Sequence, residues 1–316
     1  MGFPATIFGA EKDTYETGTF QQYPLGQKLV TPDGSIFRYV EMGTTLGVAN
    51  NLYQAEAPTA NWLSQALATT AMASGDATIT FTPGATAIAV DELAGGTVLV
   101  EETDDLGHIY RIKSNTVSAG SAPCVLTLED GVTVKVAIAI AAGNVLTALK
   151  NPWKDVIIHP SPATAIPIGI PRVVIAANAY GWVCTHGLAS CLINGVTVIN
   201  EPVVPSNAVD GSVGAKRKSG TGTIANAATT VVITHSLGST PTLDNISIIQ
   251  GENATNAIAE FWVDTITATQ FTINSTDPGV SALDLAWIAE VNYKPVGISV
   301  EVAPTADFGH IFLQIE

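Results

Sequence analysis

Short apolar runs separated by turn-forming residues dominate the hydrophobic pattern of this chain. In ATITFTPG, which begins at Ala77, threonine alternates with isoleucine and phenylalanine. In CVLTLEDGVTVKV, Asp130-Gly131 separates two apolar runs, a context that favours a β-hairpin. Such signals recur roughly every eight to twelve residues, which is typical of all-β proteins. The best helical candidate, residues 61–73, lacks a clean 3.6-residue period, so we predict an all-β fold.

The clearest single element is a hairpin in LGQKLVTPDGSIFRYVEMG, residues 25–43. Its turn, TPDG at residues 31–34, combines a proline that presets φ with a glycine that tolerates positive φ. The strand after the turn, residues 36–40, carries bulky side chains on both faces, whereas a strand with one face in water alternates apolar and polar residues. The pattern therefore predicts that something covers the second face of the hairpin.

We expect four segments along the chain. Residues 1–57 form an extended N-terminal arm with the hairpin, residues 58–205 a central β-barrel or β-sandwich, residues 206–220 a linker, and residues 221–316 a small C-terminal β-sandwich with a tail. The arm has too few core residues to fold alone, and exposed aromatic residues at its density need a partner surface. The aromatic residues predicted to anchor that interface are Phe3, Phe8, Phe20, Tyr23, Phe37 and Tyr39.

Composition narrows the choice of partners. Charged residues are 13% of the chain, about half of the usual ~25%, while hydrophobic residues reach 47%. The net charge of −15 repels phosphate, so we expect no nucleic acid and no membrane as partner. The basic run at residues 216–218 is interpreted as part of a solvated linker. Three cysteines do not form a disulfide framework, and neither a signal peptide nor a membrane-spanning run is recognisable.

No motif predicts catalysis. The cluster CTHGLASC allows a thiolate–imidazole site around Cys184, His186 and Cys191, but buried packing of small residues is the favoured interpretation. The acidic residues around Asp104 and Asp105 allow calcium binding, although the charge run favours a solvated hairpin tip. P-loop, HExxH, CxxC and GxSxG motifs do not occur in the sequence. We therefore predict a protein that is not an enzyme, with no catalytic, cofactor-binding or metal-binding residues.

Four stretches resemble virion structural proteins of tailed bacteriophages, of the head-decoration or cement type. They are the hairpin followed by LGVANNLYQA, the stretch GTVLVEETDDLGHIYRIKSN, the stretch from NPWKDVIIHP to SCLING with its Tyr180-Gly181-Trp182 element, and VVPSNAVDGSV. The terminal module resembles small sandwich domains of phage fibres and capsid appendages. Together these similarities span roughly residues 1–215 and the module that follows them.

The resemblance implies a decoration protein that reinforces the shell from the outer surface of the head after synthesis in the host cytoplasm. Its implied partners are the major capsid protein and further copies of itself in a homotrimer, with glycans as a candidate ligand of the C-terminal module. A tail fibre or receptor-binding protein that recognises host surface glycans is the alternative. A glycan-degrading tailspike ranks last, because the sequence lacks the long repeat of a β-helix.

Overall fold

The computed structural model describes residues 4–66, 70–101, 104–140, 145–251, 260–276 and 282–316. Within these ranges the chain forms β-strands and turns, three short 3-10 helices and no α-helix. The all-β prediction is therefore confirmed. The 3-10 helices are Glu11–Tyr15, Ala60–Trp62 and Leu243–Asn245. None of the helices in the described part of the chain has the length and apolar character needed to cross a bilayer.

The strands are numbered in chain order. They are β1 (Thr6–Phe8), β2 (Lys28–Val30), β3 (Ile36–Glu41), β4 (Tyr53–Gln54), β5 (Gln65–Ala66), β6 (Thr78–Phe81), β7 (Thr97–Val100), β8 (Ile109–Asn115), β9 (Cys124–Leu128), β10 (Val145–Leu149), β11 (Ile157–Ile158), β12 (Pro167–Pro171), β13 (Tyr180–Leu192), β14 (Pro202–Pro205), β15 (Val213–Ala215), β16 (Arg217–Ile224), β17 (Thr230–Thr234), β18 (Ile246–Gln250), β19 (Phe261–Asp264), β20 (Gln270–Ser275), β21 (Leu283–Glu290), β22 (Gly297–Ser299) and β23 (Phe308–Gln314).

The chain divides into two compact units, and the division corrects the expected boundaries. The first unit combines Met1–Ala55 with Val156–Glu316, and the second unit is Glu56–Asp155. The expected central domain, 58–205, therefore ends about fifty residues too late, because β12, β13 and β14 pair with strands of the first unit. The arm at residues 1–57 is likewise not separate, since β2 and β3 belong to the large sheet of that unit.

The expected linker, 206–220, is built into strands. It contains β15 and the first half of β16. Its basic run is not a solvated segment, because Lys218 Nζ lies 2.7 Å from a Glu201 carboxylate oxygen and Lys216 Nζ lies 3.3 Å from one of Glu290. Only 16% of the Lys218 side chain is exposed. Strand pairing and ion pairs thus hold a stretch whose composition alone is typical of a linker.

A six-stranded sheet, ordered β5-β10-β7-β8-β9-β6, forms the second unit. Alternation along β6 to β10 directs one side of these strands into a single core, as with Ile79 and Phe81 of β6 and Tyr110 and Ile112 of β8. Burial of each such large side chain contributes about 1.5–3 kcal/mol relative to exposure. This part of the chain therefore follows the period-2 pattern of its sequence.

An eleven-stranded sheet, with the main order β1-β2-β3-β13-β23-β22-β14-β15, forms most of the first unit. The thirteen-residue strand β13 is its centre: the part from Tyr180 to His186 pairs with β3, and the part from His186 onward pairs with β23. A bulge at Cys184/His186 lies where the pairing changes. Next to it, Gly187 has φ +103°, and a Cβ there would lie 2.4 Å from Ser35 Oγ. Position 187 therefore needs glycine for two reasons: its backbone angle is positive, and Ser35, just before β3, lies very close to it.

Two three-stranded sheets, β16-β21-β18 and β17-β20-β19, form a small sandwich in the C-terminal part of the first unit. Their inner faces share one core that includes Ile224, Ile233, Phe271 and Leu285. The tail that follows the sandwich is not part of it, because β22 and β23 return to the large sheet and pair with β14 and β13.

Candidate interaction surface

The six aromatic residues predicted to form an interface are in different environments. Phe3 lies outside the described residues. Phe8 and Phe20 are 84% and 83% exposed, so both rings are available to a partner. Tyr23 is partly buried against the core of the large sheet. Phe37 and Tyr39 are 0% and 4% exposed, and the prediction of an interface role for these two is therefore corrected.

The face of β3 that carries Phe37 and Tyr39 is covered by the chain itself. The ring of Tyr39 lies 5.0 Å from that of Trp182, 5.2 Å from Tyr23 and 6.0 Å from Tyr180, measured between centroids. The first two pairs are edge-to-face and the third is stacked, and such pairs stabilise a core by more than the area they bury. Burial raises the pKa of Tyr39, whose hydroxyl accepts a hydrogen bond from the Gln22 amide at 3.2 Å. Two residues of this cover, Tyr180 and Trp182, were missed by sequence reasoning because they lie in β13, more than 130 positions after the hairpin.

Phe37 is enclosed in a similar way. The guanidinium of Arg172 lies 4.8 Å from the centroid of its ring, in the geometry of a cation–π contact. The same arginine donates a hydrogen bond from Nη2 to the carbonyl oxygen of Leu188 in β13. Phe37 and Tyr39 therefore share one covered face of β3, while on the opposite face Val40 is fully buried and Ile36 and Arg38 are half-buried.

An apolar row crosses the outer face of the large sheet. In register across four strands lie Pro202, Ile298, Phe312 and Leu188, which we call the apolar row. Their neighbours along the strands, such as Val203, Leu313 and Ala189, point into the core. Leu188 is 49% exposed, Pro202 is exposed, and Phe312 and Ile298 are half-buried. A sheet face in water normally carries polar side chains at these positions, so the row has the character of a contact surface.

Two further features extend the apolar surface. Phe308 lies four residues before Phe312 on the same side of β23. It is 49% exposed and pairs in register with Leu192. At the end of the sheet order, β1 pairs in parallel with β2 and carries the exposed Phe8. Within the described part of the chain no strand pairs with the other edge of β1. An edge strand with unpaired backbone groups is a ready template for pairing with another chain.

The cysteine–histidine cluster has the character of packing. Cys184 and Cys191 are fully buried, and burial raises the pKa of each thiol to about 12. A thiol with such a pKa stays protonated at neutral pH and is therefore a poor nucleophile. In the described ranges, no group of three histidine, cysteine, aspartate or glutamate side chains is placed to hold a metal ion.

Two acidic residues of the hairpin tip between β7 and β8, Asp104 and Asp105, are bound by the chain rather than solvated, which corrects the interpretation for these two, whereas Glu102 lies outside the described residues. Asp105 is 4% exposed, and its carboxylate accepts hydrogen bonds from the Tyr110 hydroxyl and from the Val136 amide at 3.1 Å. The Asp104 carboxylate accepts one from the Ala139 amide at 3.1 Å. Burial and the bond to Asp105 raise the pKa of Tyr110 to about 12. These carboxylates hold the backbone of a neighbouring loop and are therefore structural.

Comparisons with known proteins give no relatives. Protein-family models, curated proteins and solved structures were compared with the chain, and none matches it.

Proposed function

We propose that this chain is a structural protein of a tailed-phage virion that binds the outer surface of the head and reinforces the shell. The observation that carries the proposal is the apolar row, which gives the large sheet an apolar face that its own chain covers only in part. Phe8 and Phe20 supply further exposed anchors, as aromatic residues commonly do in interfaces. Phe37 and Tyr39 have no part in this contact, because they belong to the core.

The charge of the chain supports the outer rather than the inner surface of a head. With a net charge of −15, the chain is repelled by packaged nucleic acid. The proposed partners are the major capsid protein and sister copies in a homotrimer. The edge of β1 favours self-association, since pairing between subunits satisfies the backbone groups of an edge strand. A specific interface buries about 1,600 Å² in total, which the row alone does not supply, so the proposed contact includes Phe8 or Phe20.

A binding experiment with undecorated heads tests the proposal. We expect the purified chain to add density to the outside of heads assembled from the matching major capsid protein, as seen by cryo-electron microscopy. We expect Leu188→Lys to weaken binding at least about tenfold, because the introduced charge loses its water in the interface. Ile109→Lys is the matched control, since it introduces the same charge at a strand position that is 63% exposed in the second unit.

Three outcomes count against the proposal. Heads that gain no density from the wild-type chain exclude the function itself. Undiminished binding of Leu188→Lys excludes the apolar row as the contact. A low virion copy number, comparable to that of tail proteins, favours the alternative of a tail fibre or receptor-binding protein, for which the separate C-terminal sandwich is the supporting feature.

A further inference from the structure

A cleft of about 340 Å³ opens at one end of the C-terminal sandwich. Its walls are the segment 240–245, which leads into β18, the segment 291–293, which follows β21, and the side chain of Asn207. These segments meet because the first residue of β18, Ile246, pairs with Ala289 near the end of β21. The volume falls within the roughly 300–1,000 Å³ of small-molecule sites.

The cleft is formed before any ligand arrives. The Asn207 side chain accepts a hydrogen bond from the Thr240 amide at 2.7 Å and donates one to the Thr240 carbonyl at 3.0 Å. The backbone N–H of Asn207 in turn donates to the hydroxyl of Ser239, a fully buried residue, at 3.1 Å. Pro241, also buried, restricts the next backbone angle. A wall held in this way loses little conformational entropy on binding.

One rim of the cleft offers unused hydrogen-bonding groups. Asp244 is exposed, and in the described part of the chain its carboxylate accepts no hydrogen bond. Asn245 donates from Nδ2 to Thr242 Oγ1 at 2.8 Å. This bond orients the amide and leaves its Oδ1 as an acceptor and the Thr242 hydroxyl as a donor. The rim therefore presents a strong acceptor, a neutral acceptor and a donor in neighbouring positions.

The opposite wall supplies an apolar surface. Tyr293 is half-buried, packs against the core of the sandwich and lines the cleft. Val291 lies beside it in the wall and is 3% exposed. An aromatic residue that lines the same cleft as hydroxyl-binding groups suits a ligand with one apolar face and several hydroxyls, which describes a pyranose ring. Among the lining residues Asp244 is the only charged one, so an anionic ligand is repelled and a neutral one is not.

We infer that this cleft binds a short neutral oligosaccharide. Asp244 accepts hydrogen bonds from sugar hydroxyls, Thr242 and Asn245 bind neighbouring hydroxyls, and Tyr293 contacts the apolar face of the ring. The inference goes beyond attachment to a capsid, because the cleft belongs to the C-terminal sandwich and shares no residue with the apolar row.

Saturation-transfer NMR on the full chain tests the inference. The probes are maltose, lactose, cellobiose and chitobiose, with 3′-sialyllactose as the anionic comparison. We expect at least one neutral disaccharide to bind with a Kd on the order of 1 mM and the sialylated probe to gain nothing from its carboxylate. Asp244→Asn should weaken that binding about tenfold, since hydrogen bonds to charged groups are the stronger ones. Tyr293→Leu should weaken it while keeping an apolar wall.

Asp264→Asn is the matched control, because it removes the same charge from an exposed position on β19 of the same module, outside the cleft. Circular dichroism and thermal unfolding verify that each variant is folded. Absence of binding by all four neutral probes overturns the inference. So does equal weakening by Asp264→Asn and Asp244→Asn, or unchanged binding in both cleft variants. Each of these results leaves head binding through the apolar row untouched, so the two proposals fail separately.

Discussion

Arg38 and Glu316 lie 278 positions apart and form a two-point ion pair, in which Arg38 Nε donates to one carboxylate oxygen and Nη2 donates to the other at 2.9 Å. Arg38 also donates from Nη1 to the Gly26 carbonyl at 2.8 Å. Glu316 accepts a further hydrogen bond from the Thr185 hydroxyl at 3.1 Å. The pair thus joins the N-terminal hairpin, β13 and the segment after β23, and it contributes to making residues 1–55 an integral part of the first unit.

We expect Arg38→Met to lower the free energy of unfolding by about 1 kcal/mol, because the pair is partly exposed and surface ion pairs are weak. Burial opposes ionisation of Glu316, but its bonds to Arg38 outweigh this and hold the pKa below its ordinary value. The contribution is therefore present above about pH 4.5 and is lost as the pH falls through the folded pKa. Urea unfolding at pH 7 and pH 3 measures both effects.

The control is Lys113→Met, which breaks an exposed ion pair with Asp130. An equal effect of the two variants at pH 7 would contradict the structural role of Arg38.

Local features of this fold were readable from the sequence. The turn of the hairpin is where its composition places it: Gly34 has φ +83° and its amide donates to the Thr31 carbonyl at 2.9 Å. The alternation in β6 and β9 likewise predicts which side chains reach the core. These features depend on residues within a few positions of each other, and short-range patterns carry such information.

Long-range pairing was not readable in the same way. The bulky pattern of β3 predicts a cover, but nothing in it specifies that the cover is Trp182 rather than another protein. The linker prediction failed for the same reason, since Lys218 has a strand partner and an ion-pair partner that are distant in sequence. The apolar row was missed because its members come from four strands, and only the register brings them together.

In the second unit, the positive charge of Lys150 compensates three neighbouring carboxylates. Its Nζ lies 2.6 Å, 2.9 Å and 3.1 Å from carboxylate oxygens of Glu56, Glu92 and Asp155. Burial opposes its charge, but the three acids outweigh this and raise its pKa above the ordinary value. We expect Lys150→Met to lower the free energy of unfolding by about 1–3 kcal/mol, because the acids then repel each other without compensation.

The pH dependence of this contribution has a definite sign. Because the folded pKa of Lys150 is raised, its contribution is fully present below about pH 10.5 and is lost as the pH rises further. Thermal unfolding of the wild type and Lys150→Met between pH 7 and pH 11 should therefore show a constant difference up to about pH 10.5, which begins to decrease only above that pH. Lys154→Met serves as control, since Lys154 donates only to backbone carbonyls of Asp91 and Glu92. Equal stability of Lys150→Met and the wild type at pH 7, or a difference that vanishes below about pH 10, would refute the assignment.

His159 is 1% exposed, and in the described part of the chain neither of its ring nitrogens has a hydrogen-bond partner. Burial lowers its pKa, opposed by the polar backbone of residues 159 and 160 and by the charge of Asp210, and burial also lowers the pKa of His235. Both groups then bind protons more weakly in the folded than in the unfolded chain. Stability should therefore fall as the pH drops below about 6.5, towards the folded pKa values.

The substitution His159→Leu isolates the contribution of this imidazole to the loss of stability at acidic pH. It removes two buried polar atoms that lack partners, so we expect equal or higher stability at pH 7 and a shallower loss between pH 7 and pH 5. Urea midpoints at half-unit pH intervals measure the slope. A slope for His159→Leu as steep as that of the wild type would show that His159 is not a source of the acid sensitivity.

The aromatic residues of the N-terminal segment divide into core and surface, and paired substitutions distinguish the two roles. Phe37→Ala empties a site that is 0% exposed and should lower the free energy of unfolding by about 3–5 kcal/mol. Phe8→Ala and Phe20→Ala alter rings that are more than 80% exposed and should change it by at most about 0.5 kcal/mol.

Head binding should respond in the opposite order to these substitutions. The Phe8→Ala, Phe20→Ala double variant should keep the wild-type melting temperature and yet bind undecorated heads more weakly, because aromatic anchors contribute most to an interface when a partner encloses them. Phe37→Ala, assayed well below its melting temperature, should bind with near wild-type affinity per folded molecule, since its ring faces the core. Co-sedimentation with heads, normalised to the folded fraction from circular dichroism, measures both. Normal binding by the double variant together with weak binding by folded Phe37→Ala would show that the assigned roles are wrong and that the hairpin forms the contact surface.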